Sequence, residues 1–174
     1  RLKKYPVLGW LTVIIFQGAY TFLLVSMAAE NNFSVDWFSI QKAEGMSLST
    51  LLIGAYYPLT QIYQHDEDSE RGDITISYRL GITGTFIFSA ILFLISFAVA
   101  FHYLNFYYNP DHFMIFIFCL LPAIIYFLNW FIKAIRNKNE ADFSHTMRMT
   151  FISSSCLLIA FMILLYINHF GGGK

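Results

Sequence analysis

The chain has 174 residues, of which 57% are apolar and 13% charged, about half the ~25% charged residues of an ordinary soluble domain. Eleven Lys+Arg balance eleven Asp+Glu, and 19 Phe, 11 Tyr and 3 Trp add to the apolar excess. A soluble globule and a nucleic-acid-binding module are excluded on these grounds. Cys119 and Cys156 lie far apart inside apolar runs, so they read as small core residues rather than a disulfide or metal framework.

Five stretches carry no Asp, Glu, Lys or Arg: residues 7–29, 46–64, 80–104, 113–132 and 149–170, with lengths of 23, 19, 25, 20 and 22. Amphipathic soluble helices, polar every ~3.6 residues, do not confine their charges in this way. Each stretch is close to the ~20 residues that cross a bilayer, and a helix satisfies its own backbone hydrogen bonds in hydrocarbon. The chain is therefore predicted to be all-α, a polytopic transmembrane helical bundle with five spans, closed by a flexible tail or cloning scar at 171–174.

The first span follows Arg1, Lys3 and Lys4, which by themselves read as anchors that snorkel to the headgroups. Gln17 in the first span and Asn129 in the fourth read as helix–helix hydrogen-bonding groups. With five spans, one face receives Arg1, Lys3, Lys4, Arg71, Arg79, Lys133, Arg136, Lys138 and Arg148, nine in all, and the other only Lys42 and Lys174. The positive-inside rule then places residues 65–79 and 133–148, with the N-terminal segment, on the cytoplasmic side.

The second span runs into PLTQIYQHDEDSERGDITISYRLG, residues 58–81, where Asp66, Glu67, Asp68, Glu70 and Asp73 fall within eight residues. A helix continuing to a C-terminal Gly72 puts Gln61, Gln64, His65 and Asp68 on one face and Asp66 and Glu70 on a second. Oxygen ligands in this arrangement suit Mg²⁺, which takes one or two carboxylates and completes its shell with water and substrate phosphate. A solvated acidic loop is the plainer alternative, but carboxylates crowded at a membrane edge repel one another and a bound cation relieves that repulsion. Arg71 and Arg79 can neutralise phosphate oxygens or pair with the neighbouring acids. His65 is placed to act as a base, a ligand or a hydrogen-bonded interfacial group. Tyr56, Tyr57 and Tyr63, on the span leading in, can stabilise a developing cation through their ring quadrupoles.

The string from Gln64 to Gly81 resembles the second aspartate-rich motif of the UbiA superfamily of intramembrane prenyltransferases, in which D-x-x-x-D precedes G-x-x-T/S and a further Gly. Asp68 takes the place of the last acid, Asp66 that of an acid two residues earlier, Gly72 and Thr75 the G-x-x-T part, and Gly81 the final Gly. Gln64 stands where the first Asp of the pattern would be. RLKKYPVLG, residues 1–9, is similar to the segment that opens a transmembrane helix after the family's Y-S-x-P stretch. NEADFSHTMRMTFISSSC, residues 139–156, is similar to the start of the last helix in bacterial members.

The resemblance implies that residues 1–170 are the C-terminal part of a single transmembrane domain of about nine helices, whose first motif, N-D-x-x-D-x-x-x-D, is not among these residues. It implies a Mg²⁺-dependent enzyme of isoprenoid biosynthesis in the bacterial inner membrane. The reaction would move an isoprenyl group from an isoprenyl diphosphate to a lipophilic, aromatic or quinone-precursor acceptor at the cytoplasmic face. Asp66 and Asp68 would be catalytic and, with Gln64, metal-binding; Lys3, Arg71, Arg79, Gln61 and Gln64 would hold the diphosphate; Tyr56, Tyr57 and Tyr63 would line the prenyl chain. Because that chemistry needs both motifs, this chain alone is expected to be inactive. Two other classes stay open: a non-catalytic membrane scaffold, and a cation transporter or channel, although the latter wants ionisable groups near mid-membrane and the five spans have none.

Overall fold

In a computed structural model, residues 5–32 and 38–170 are described; Lys3, Lys4 and the tail at 171–174 lie outside them. The elements in chain order are α1 (Pro6–Val13), a π-helical segment (Ile14–Tyr20), α2 (Thr21–Glu30), α3 (Ile40–Thr60), a 3₁₀ turn (Ile62–Gln64), α4 (His65–Arg71), α5 (Ile76–Tyr107), α6 (Pro110–Arg136), a second 3₁₀ turn (Lys138–Glu140) and α7 (Phe143–Phe170). No strand occurs among the described residues, so the all-helical expectation holds.

Local chemistry sets the boundaries. Pro6 and Pro110 occupy the first turns of α1 and α6, where a missing N–H costs nothing. Ser39 caps α3 by accepting from Lys42 N, and Asn109 caps α6 in a reciprocal box with His112. Asn31 and Gly72 end α2 and α4 in the left-handed conformation.

Four helical stretches are long and apolar enough to cross a membrane: Pro6–Glu30, Ile76–Tyr107, Pro110–Arg136 and Phe143–Phe170. They turn large side chains outward, Leu94 at 68%, Phe118 at 74% and Phe151 at 75% exposure, as a hydrocarbon solvent demands. The helix at the second expected span, α3, is not among the four, because Glu44, Ser47, Ser49 and Thr50 dilute its apolar content.

The chain forms two compact units, Arg1–Tyr103 and Leu104–Lys174. In the first, α1–α2 and α3 run antiparallel. Trp10 Nε1 donates to Gly54 O at 3.1 Å, a Cβ on Gly18 would fall 2.6 Å from Thr50 Cα, the Phe22 ring closes over Gly45, and Lys42 pairs with Glu30. The Trp10 bond has a simple cause. Pro58 has no N–H to give to the carbonyl four residues back, so Gly54 O is free for the indole. At Gly18 the first span widens into the π segment, and Thr21 Oγ1 reaches Phe16 O, five residues back, at 2.9 Å. Helix α5 returns alongside, with the Phe88 ring 5.4 Å from that of Trp10 and His102 Nδ1 2.9 Å from Glu44 Oε2.

The second unit is a hairpin of α6 and α7. Small residues Ala123, Ala134, Cys156 and Ala160 are buried along it, the usual way for membrane helices to approach closely. Trp130 Nε1 donates to Glu140 O at 2.8 Å and Tyr126 Oη to His145 O at 3.3 Å, fixing the turn. Both cysteines are unpaired, Cys156 buried and Cys119 half-buried.

Candidate functional site

The helix that the sequence suggested would run unbroken from the second span to Gly72 is broken. Pro58 sits in its last turn, Gln61 leaves the α-helix, one 3₁₀ turn follows, and α4 begins at His65. Gln61, Gln64 and Asp68 nevertheless meet, because a 3₁₀ step carries residue i over i+3 before the α-turn carries i+3 over i+7. All three line one cavity of about 310 Å³, walled also by Tyr5, Trp10 and Thr12 from the start of the first span, Tyr57 and Thr60 from α3, and Ile74 and Thr75 before α5.

Asp68 is 5% exposed, and its Oδ2 has no hydrogen-bond partner among the described residues; the same holds for Gln61 Oε1. Leaving a buried polar atom unmet costs about 1–3 kcal/mol, so a fold keeps two such atoms in one cavity when something else supplies the missing partner. Gln64 Nε2 donates to Tyr63 Oη at 2.8 Å, which leaves its amide oxygen for a ligand.

Other predicted site residues fall elsewhere. Asp66 is exposed and does not line the cavity. Arg71 is an exposed partner of Glu67 at 3.5 Å, a contact of little energetic weight in water, and Arg79 is exposed on the first turn of α5. Of the three tyrosines only Tyr57 reaches the cavity wall; Tyr63 is tied to Gln64, and Tyr56 is half-buried in α3. Lys3 lies outside the described residues.

His65 turns away from the Gln61–Asp68 face onto which its spacing projected it. Its Nε2 lies 2.8 Å from Ser77 Oγ, Ser77 Oγ lies 3.1 Å from Thr85 Oγ1, and Thr85 Oγ1 lies 2.7 Å from Gly81 O. A carbonyl only accepts, so Thr85 donates to Gly81 O, Ser77 donates to Thr85, and His65 Nε2–H donates to Ser77. Burial holds the His65 imidazole below its ordinary pKa, against the opposite pull of Asp68 and Asp66, in keeping with this neutral donor. The chain closes over a break in α5: Gly81 has φ 68 and ψ 174, and Thr85 Oγ1 also approaches Ser77 O at 3.2 Å. With Tyr78 Oη donating to Ser69 Oγ at 3.4 Å, these bonds tie α4, and hence Asp68, to α5. Sequence reasoning missed Ser77 and Thr85. Their signal is a hydroxyl four residues on either side of a glycine inside an apolar helix.

Among the described residues no group of three or more His, Cys, Asp or Glu side chains could hold a metal. One carboxylate with an unmet oxygen and two amide oxygens suit an ion that brings most of its shell with it, as water and phosphate oxygens. Thr75, 8% exposed, caps the N-terminus of α5 through Tyr78 N and faces the same cavity.

No protein-family model, no curated protein and no solved structure matches this chain.

Proposed function

We propose that the cavity at the α3–α5 junction is part of an isoprenyl diphosphate site, and that the complete protein is a Mg²⁺-dependent intramembrane prenyltransferase. The observation that carries the reading is the unmet Oδ2 of the buried Asp68 in a cavity shared with Gln61 and Gln64. Asp68 is a residue at which the sequence resembles the superfamily motif, and Gln64 stands at the position of that motif's first Asp. When bound, Mg²⁺ would neutralise charge on the departing diphosphate. Asp68 and the amide oxygens of Gln61 and Gln64 would hold that ion, and the Thr75 hydroxyl stands at the cavity wall, where it can donate to a diphosphate oxygen. Tyr57 and Trp10 present aromatic surface to the allylic carbon, where positive charge develops. On this reading Asp68 is the acid that acts, and Asp66, which is exposed and does not line the cavity, stands outside the site.

The same reading makes α3 a fifth span. The first span is 25 residues, hence ~37 Å at 1.5 Å per residue, and α3 packs against it from Trp10/Gly54 to Glu30/Lys42. A polar helix sheathed this way crosses with its partner. Five crossings keep the nine-to-two Lys/Arg bias and would put the acidic junction on the cytoplasmic side, in what the superfamily resemblance implies is a bacterial inner membrane. Cysteines placed at Ser69 and Asn137 should label from one side and at Ser39 from the other, in a background lacking Cys119 and Cys156.

The decisive experiment uses the purified chain in nanodiscs. Mg²⁺ together with an isoprenyl diphosphate should raise its thermal midpoint more than either alone, and Asp68→Asn should remove the synergy. An equal shift in Asp68→Asn would end the assignment.

A further inference from the structure

We propose that the α6–α7 turn binds the phosphate of an anionic membrane lipid, with Arg148 as the principal contact; this stands independently of the prenyl-transfer reading. An open groove of about 520 Å³ runs along the start of α7, lined by Phe143, Ser144, Met147, Arg148, Phe151 and Ile152. These positions recur at intervals of three and four and form one stripe of a helix long enough to cross a membrane. Phe143 at 57% and Phe151 at 75% exposure make the stripe apolar, and Arg148 is its one charge. An acyl chain covers Phe151 but does nothing for a guanidinium, and a soluble anion does the reverse. A lipid with an anionic headgroup answers both, and the planar fork of Arg matches phosphate oxygens.

The surrounding charges favour the same ligand. Lys133 and Arg136 end α6, Lys138 lies in the 3₁₀ turn, and Arg148 stands in the second turn of α7. All four are exposed, and none forms an ion pair among the described residues. The turn also carries two acids, but both are occupied: His145 Nε2 lies 3.3 Å from Glu140 Oε2, and His145 Nδ1 lies 2.9 Å from Asp142 Oδ1. His145 thus engages both acids at the hairpin tip, and Arg148, although it acts on Asp142 through space, forms no ion pair with it and stays exposed like the other three cations. Near an anionic leaflet each such cation is worth about a fivefold gain in association. Arg148 differs from the other three in standing over an apolar groove, so its contribution is local to one lipid rather than spread over the surface.

The test labels a cysteine at Ser144 with a small fluorophore, in the full chain lacking Cys119 and Cys156, reconstituted in phosphatidylcholine vesicles. Quenching by spin-labelled phosphatidylglycerol should exceed that by spin-labelled phosphatidylcholine several-fold. Arg148→Gln should cut this preference about fivefold, Arg148→Lys should keep most of it, and Lys138→Gln should lower it less than Arg148→Gln does. Arg148 is exposed, so unchanged helix content by circular dichroism accompanies these variants. Equal quenching by the two lipids, or a preference indifferent to Arg148→Gln, overturns the proposal. Loss of the phosphatidylglycerol signal on adding inorganic phosphate also overturns it, because the site would then serve a soluble anion.

Discussion

Two polar turns in this molecule are built from the same residue types and come out differently. The junction around residues 61–75 and the turn around 137–148 each join long helices, and each contains a histidine among acids. In the second, every acid near the histidine is satisfied: Asp142 caps α7 by accepting from His145 N at 2.8 Å, and the ring engages Asp142 and Glu140. In the first, the histidine is drawn off to Ser77, and Asp68 is buried with one oxygen unmet. The number of acids therefore does not separate a cap from a binding site. What the junction has and the second turn lacks is an unanswered hydrogen-bonding demand inside a cavity.

The contrast is sharpest in the sign of paired effects. In a catalytically complete protein, Asp68→Ala should lower Mg²⁺-dependent isoprenyl transfer by ~10²-fold or more, whereas Asp66→Asn and Asp142→Asn should stay near the wild-type rate in the same radiolabelled-substrate assay. Stability should move the other way. Asp68→Asn removes a buried charge lacking one of its partners and should raise the unfolding midpoint, while Asp142→Ala loses a helix cap and should lower it by about 1 kcal/mol. A fall in midpoint for Asp68→Asn would mean that the carboxylate is structural and that the two turns are alike.

The packing behind the junction can be broken on its own. A Cβ on Gly18 meets Thr50 backbone at 2.6 Å, which no rotamer change relieves. Gly18→Ala should therefore destabilise the first unit by about 3 kcal/mol, read by chemical or thermal unfolding, with Gly84→Ala as the mild control. Gly81→Ala tests the break itself. Nothing lies within 4 Å of its Cβ position, so the whole loss is backbone strain at positive φ, about 2 kcal/mol. If Gly81→Ala is harmless, the break is not what holds Ser77 and Thr85 beneath His65.

The smallest expected effect is a pH dependence at the second turn. Burial raises the Asp142 pKa, but the His145 backbone N–H, the His145 ring and Arg148 outweigh it and hold the group below the usual carboxylate range. A depressed folded-state pKa contributes stability that is present above the unfolded value and is lost as pH falls through the folded one. Acidification below about pH 4 should thus loosen the α6–α7 turn, by a few tenths of a kcal/mol because the side chain is about half exposed. Amide exchange at Phe143 to Thr146 would report it, and Asp142→Asn should flatten the response.

Much of the architecture is legible in the chain because bilayer physics is one-dimensional. Charge-free runs of fixed length mark where helices lie, and the structure places four apolar helices at the first, third, fourth and fifth runs. Gly72 as a helix stop was readable for a similar reason, since a glycine after an acidic helix turn has few other uses. The grouping of Gln61, Gln64 and Asp68 was readable from spacing, although the helix that was to carry them is broken. The break at Gln61, three residues beyond Pro58, was not readable, and neither was the choice of Asp68 over Asp66 as the buried acid.

Sequence by itself determined which segments are helical and apolar, because those properties depend on side-chain solubility and on backbone bonds only four residues apart. Tertiary structure alone decided that Trp10 takes the carbonyl left free by Pro58, that His65 points to Ser77 rather than to Asp68, and that Tyr57 rather than Tyr56 or Tyr63 meets the cavity. Those choices turn on which helix stands beside which, set by contacts such as Gly18 against Thr50 between residues more than thirty positions apart. Periodicity along one helix carries no record of its neighbour, so the unmet oxygen of Asp68 becomes visible only once α1, α3 and α5 are packed together.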